Sequence, residues 1–113
     1  MHELAIAQGI VDILHEQMRI HHLVTIQSVE LRVGVLRGVE IASLNFGFSA
    51  LTADSPLAGA RLDVSEVPIQ GRCVQCGQHI TLKSWLDDCP LCSGSRVEIV
   101  SGKELEIVAI EGE

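Results

Sequence analysis

The sequence predicts an α+β fold: two helices on a small three-stranded mixed sheet, with an inserted four-cysteine zinc-ribbon lobe. Three observations predict it. Apolar residues recur at helical spacing in two stretches and alternate at strand spacing in three others, and all four cysteines fall in two Cys-x-x-Cys pairs. The 113 residues suffice for one compact core plus a metal-stapled lobe.

The first helix is predicted from Glu3 to about His21. Leu4, Ala7, Val11, Leu14 and Met18 recur at spacings of three and four, and Ile6, Ile10 and Ile13 widen the same face. Thr25 to Val35 then switches to period two, with Val29, Leu31, Val33 and Val35 on the buried side. Helical spacing returns at Ile41, Leu44, Phe48 and Leu51, giving a second helix over about residues 40–53. Ala60 to Val67 alternates again, with Ala60, Leu62 and Val64 on one face. Pro68 and Gly71 read as punctuation, a short connection into the first cysteine pair. His79–Leu82 and Val97–Val100 are expected as short ribbon strands, and Lys103–Glu111 as a third main strand with Leu105, Ile107 and Ala109 on one face. Residues 1–70 and 102–113 should thus form an α+β domain, interrupted by a zinc-binding domain at 71–101.

Cys73 and Cys76 form one pair and Cys89 and Cys92 the other, with twelve residues between them. Two such turns bring four thiolates to one point, the arrangement of a closed tetrahedral zinc site. The N-terminus shows no basic segment leading into an apolar one, so a cytoplasmic setting is expected. There, paired Cys-x-x-Cys turns bind metal rather than form disulfides.

Composition excludes other partners. Lys and Arg number 8 against 15 Asp and Glu, a net charge of −7, and the only aromatic residues are Phe46, Phe48 and Trp85. Nucleic-acid binders need clustered cations and stacking platforms, and this chain has neither. No apolar run approaches a membrane span. A zinc ribbon here need not touch nucleic acid, and membrane association is not expected.

The opening Met1-His2-Glu3 offers a different metal chemistry. The Met1 amine and the His2 backbone nitrogen close a five-membered chelate ring, and His2 Nδ1 closes an adjoining six-membered one. A fourth donor can come from the Glu3 backbone nitrogen, the Glu3 carboxylate, water or a distant histidine. Nitrogen-rich tetragonal sets favour Ni(II) or Cu(II) over Zn(II). The competing reading is a solvated histidine at a helix start. His15, His21, His22 and His79 read as solvated surface histidines, with a hydrogen bond to a thiolate as the alternative for His79.

Taken together, these stretches resemble the HypA/HybF family of hydrogenase nickel-incorporation proteins over essentially the whole chain. The resemblance rests on Met1-His2-Glu3-Leu4, Ser28-Val29-Glu30-Leu31-Arg32-Val33-Gly34, and Gly38-Val39-Glu40 through Phe46-Gly47-Phe48. Gly59-Ala60-Arg61-Leu62, Glu66-Val67-Pro68, the four cysteines and Gly102-Lys103-Glu104-Leu105 complete it. Ile41-Ala42 departs from the Pro-Glu that many members carry after Gly-Val-Glu.

What the resemblance implies is a nickel metallochaperone and not an enzyme. Such a protein binds Ni(II) as transferred cargo and helps deliver it to the [NiFe]-hydrogenase large subunit. It works with a maturation GTPase, and in some organisms with urease accessory proteins. By position, His2 is the implied essential nickel ligand, supported by the Met1 amine and the Glu3 backbone nitrogen. Cys73, Cys76, Cys89 and Cys92 hold a structural Zn(II). A monomer or weak homodimer is expected. The alternative is a zinc-ribbon adaptor that binds protein without a nickel role. A dithiol redox enzyme is disfavoured because a shared zinc leaves no free thiolate pair.

Overall fold

The computed structural model describes residues 2–84 and 86–113. The element order is α1 (His2–His21), β1 (Ile26–Gly34), a 3-10 turn (Val35–Arg37), α2 (Ile41–Thr52), β2 (Arg61–Val67), β3 (Ile69–Cys73), β4 (His79–Leu82), β5 (Val97–Ser101) and β6 (Leu105–Gly112). Two three-stranded sheets result, ordered β2-β1-β6 and β4-β3-β5. The helices, the main sheet and the cysteine lobe are those expected.

The chain divides into two compact units. One comprises Met1–Leu31, Val39–Val64 and Ile107–Glu113, and the other Arg32–Gly38 and Ser65–Glu106.

In the first unit α1 buries Ala7, Ile10, Val11 and Leu14, a stripe at spacings of three, one and three. Leu4 and Ile13, expected on that face, lie at its margins and stay 43% and 50% exposed. The helix stops in a left-handed His22 (φ 55°), and the Leu23 N–H reaches back to the Met18 carbonyl at 2.9 Å. That is a Schellman ending with histidine in the position glycine usually takes. Glu40 caps α2, its carboxylate accepting from the Ala42 N–H at 3.1 Å. Ile41-Ala42 therefore starts the helix without the Pro-Glu of the family pattern.

Helix α2 buries Leu44, Gly47, Phe48 and Thr52, the last satisfied by the Phe48 carbonyl at 2.8 Å. Gly47 sits where α1 crosses, because a Cβ there would lie 3.4 Å from Leu4 Cδ1 and 3.7 Å from Ala7 Cβ. On β1 the buried phase switches between Ser28 and Val29, so Ile26 and Ser28 are covered as well as Val29 and Leu31. Strict alternation does not predict this switch.

In the second unit β3 is the central strand, antiparallel to both β4 and β5. This corrects the expectation of a mere connection across Pro68–Gly71. Ile69 and Cys73 are buried, and Gly71 is present for proximity rather than for turning. A Cβ on it would fall 2.5 Å from Val97 Cγ1 and 2.9 Å from the Glu98 carbonyl oxygen. Ile69, Cys73, Ile80, Leu82 and Cys89 form the core, with Leu36, Val97 and Ile99 packed against it.

The segments at the margin of this unit meet closely. A Cβ on Gly34 would lie 2.0 Å from the Gly102 carbonyl oxygen, and one on Gly102 would lie 3.1 Å from Ile69 Cα. Only glycine fits either place. The Leu36 N–H donates to the Gly102 carbonyl at 2.8 Å, and Ser101 Oγ to the Pro68 carbonyl at 2.9 Å.

Strand β6 differs from its expected pattern. Leu105, Ile107 and Ala109 do not form a buried face; Ile107 and Ile110 are only half-buried, and Val108 is 53% exposed. The strand lies at an end of its sheet, so one of its flanks has no neighbouring strand.

Candidate metal sites

Two turns of the same design build the cysteine site. In the first, the Gly77 N–H returns to the Cys73 carbonyl at 2.8 Å; in the second, the Ser93 N–H returns to the Cys89 carbonyl at 2.8 Å. Both closing residues have positive φ, 75° for Gly77 and 62° for Ser93. Two further backbone bonds set the turns against their neighbours: Cys73 N–H to the Gln78 carbonyl (3.0 Å) and Cys89 N–H to the Gly94 carbonyl (2.9 Å). Gly94 lies under the sulfurs, where a Cβ would come 2.8 Å from Gln75 Oε1 and 3.2 Å from Cys92 Sγ.

The four Sγ atoms all lie within 4.8 Å of one another. Cys73 and Cys92 are separated by 3.5 Å, and Cys76 and Cys89 by 3.8 Å. A tetrahedron of metal–sulfur bonds about 2.3 Å long has edges of about 3.8 Å, so the donor set fits such an ion. Cys73 and Cys89 are buried, while Cys76 and Cys92 form the outer side.

The protons at the cluster are distributed unevenly. The Cys76 N–H, foremost among several donors, draws the Cys73 thiol down to about 6. Cys92 is pushed up to about 12. The Gly94 N–H alone would lower it, but the Cys73 sulfur, burial and the other two sulfurs outweigh that effect. Four thiolates cannot crowd together without a cation, and a bound divalent ion removes the conflict.

The second candidate site is at the start of α1. Met1 lies outside the described residues. The His2 side chain is 55% exposed, and its Nε2 faces the Glu3 carboxylate at 3.3 Å. That carboxylate also accepts the Glu40 N–H at 3.3 Å, which with neighbouring backbone donors lowers its pKa. Glu3 thus ties the start of α1 to the start of α2. The sequence holds no signal for this, since Glu3 and Glu40 meet only through the fold.

The remaining histidines do not join either site. His79 begins β4 opposite Arg72 and is exposed, and His21 Nε2 lies 3.1 Å from Gln17 Oε1. Among the described residues, the four cysteines are the only group of metal-ligating side chains close enough to share an ion. No helix among them is long and apolar enough to cross a membrane.

Comparison with known proteins agrees with this architecture. Residues 1–112 match the family model described as hydrogenase/urease nickel incorporation, metallochaperone, HypA. The chain is 41% identical to the hydrogenase maturation factor HypA of Chlorobaculum parvum, over 97% of each chain. It is 37% identical to that of Azotobacter chroococcum, over the full length of both. Among solved structures it is similar to a solution structure of HypA protein (TM-score 0.73, 18% identity, 100% of this chain and 97% of that one). It is also similar to that of the nickel metallochaperone HypA from Helicobacter pylori (TM-score 0.65, 16% identity, 97% and 96%). The full-length family match and relatives at this identity, carried on two helices, two small sheets and a four-cysteine cluster, show that the chain belongs to the HypA family of hydrogenase maturation factors, the nickel-incorporation metallochaperones.

Proposed function

We propose that this protein binds Ni(II) at its amino terminus and delivers it to the [NiFe]-hydrogenase large subunit, with Zn(II) held by Cys73, Cys76, Cys89 and Cys92 as a structural ion. One observation carries the nickel reading: His2 Nε2 faces the Glu3 carboxylate at 3.3 Å. A carboxylate on the distal ring nitrogen fixes the ring and its tautomer, and leaves Nδ1 as the metal donor. Nδ1 is the nitrogen that closes a six-membered ring with the His2 backbone nitrogen. The first N–H groups of a helix have no intrahelical acceptor, so recruiting the His2 and Glu3 backbone nitrogens breaks no helical hydrogen bond. The Met1 amine completes a four-nitrogen tetragonal set, which suits Ni(II).

Release follows from the same chemistry. Amine and amide nitrogens bind metal in competition with protons, so occupancy depends steeply on pH and on what a docked acceptor offers. The protein performs no catalytic step in this scheme; nucleotide hydrolysis belongs to a maturation GTPase that acts with it in the cytoplasm. Service to urease is a second outlet for the same cargo. Residues 71–101 act as an inserted zinc domain within the domain formed by 1–70 and 102–113.

The test is nickel binding by the untagged protein and its His2→Ala variant, with zinc content measured in parallel. Loss of nickel with zinc retained is expected. Unchanged nickel binding would remove the amino-terminal site and favour a zinc-ribbon adaptor.

A further inference from the structure

We propose that the open edge of β6, with the groove between it and α1, docks an extended basic segment of a partner protein, which joins the sheet as an added strand. The inference is independent of where nickel binds.

Strand order leaves β6 at an end of the β2-β1-β6 sheet. An end strand presents a row of main-chain donors and acceptors that only another extended chain can satisfy in sequence. Beside it runs a groove of about 610 Å³, lined by Ile13 and Leu23 on one side and Val108 and Ile110 on the other. Gln17 and His21, 3.1 Å apart, give it one polar edge. Ile13 and Val108 are each about half exposed, at 50% and 53%. An added strand gains affinity from main-chain pairing and specificity from alternate side chains seated in such a groove. A helix seated there would leave the edge groups unpaired.

Charge selects the occupant. Glu111 and Glu113 follow the apolar stretch Ile107–Ile110, and β6 contains no Lys or Arg. Among the described residues, the Glu111 carboxylate accepts from the neutral Ser28 hydroxyl at 3.3 Å. Among the described residues no cation pairs with Glu111 or Glu113, whereas Glu106 is already matched by Arg32 at 2.9 Å. A second copy of the chain would bring the same net −7 and no basic residue on its own β6. A lysine- or arginine-bearing segment meets these carboxylates favourably, and the same charges discourage self-pairing of the edge.

The test uses three ten-residue peptides on the zinc-loaded, isotope-labelled full chain, followed by amide chemical shifts and hydrogen exchange. One peptide alternates lysine with valine, one replaces lysine by glutamate, and one is the lysine–valine peptide N-methylated at every amide. The lysine–valine peptide should shift the amides of Ile107–Gly112 and of the groove residues of α1, and should slow exchange along β6. The glutamate peptide should bind at least about tenfold more weakly, and N-methylation should abolish the added protection. Ile13→Glu and Val108→Asp, both at half-exposed positions, should lose peptide binding with circular dichroism unchanged. The proposal is overturned if the lysine–valine peptide fails to bind at millimolar concentration. Shifts on another surface, equal binding of the N-methylated peptide, or a peptide-free dimer paired through β6 would also overturn it.

Discussion

The cysteine lobe and the proposed amino-terminal site would hold metal by opposite designs. The lobe uses four side chains fixed by two backbone turns, two of them buried, at separations matching a closed tetrahedron. The amino terminus offers main-chain nitrogens and one exposed imidazole, steadied by a single carboxylate that is itself tied to α2. A cage assembled by distant parts of the chain contributes to folding and gives up its ion only when it opens. A chelate made by the first residues of one helix can fill and empty without disturbing a core. The contrast teaches that a caged site would suit a resident ion, and a chelate at a chain end would suit cargo.

The largest expected effect tests the rigid side. Cys89→Ser removes one buried ligand, and thiolate zinc sites contribute about 10 kcal/mol or more to the folding of small domains. Zinc content should fall toward zero and amide protection across β3–β5 should collapse, while the helical dichroism of α1 and α2 persists. If helix signal were lost in step with zinc, the two regions would not be separable.

Adding residues before Met1 tests the loose side. Losing the α-amine and its chelate ring should abolish tight nickel binding, with zinc content and thermal midpoint unchanged. Normal nickel affinity in the extended chain would place the cargo site elsewhere.

Gly71→Ala probes how tightly the lobe is packed. The new methyl would press on Val97 and the Glu98 carbonyl, an overpacking cost of about 1–3 kcal/mol that urea titration can read. The zinc-loaded protein should lose stability while nickel affinity stays the same.

The smallest effect is in the metal-free protein. Cys73 is drawn to about 6 from 9.0, so the fold favours its thiolate. Its contribution is complete above pH 9 and is lost as pH falls through 6. Cys92, pushed up to about 12, runs the other way: its contribution is complete below pH 9 and disappears as pH rises through 12. Metal-free protein should therefore resist urea better at about pH 7.5 than at about pH 5, and Cys73→Ser should flatten that difference.

Sequence patterns reveal the features with a strong local rule. Helix α1 follows from its apolar period, the cysteine site from its spacing, and the expected ribbon strand His79–Leu82 has the bounds of β4. What escapes depends on through-space neighbours. Gly71 reads as a breaker until Val97 is seen against it, and Ser28 reads as an outward residue until β1 is seen to change its covered phase. The outward face of β6 is not legible because alternation says nothing of whether a strand ends its sheet. At the amino terminus the residues are visible but their support is not, since the Glu3–Glu40 contact spans two helices.

The meeting of Gly34, Gly102 and Ile69 has a consequence for inheritance. Because Gly102 comes back against Ile69, residues 69–102 leave the chain and rejoin it at nearly one place. Segments whose two ends lie side by side can be exchanged without stretching what flanks them. A lobe joined in this way could be exchanged as a piece, with Leu36 kept to cover its core. Related chains could shorten, lengthen or replace it, provided glycine is kept at positions 34 and 102, where the strand ends cross.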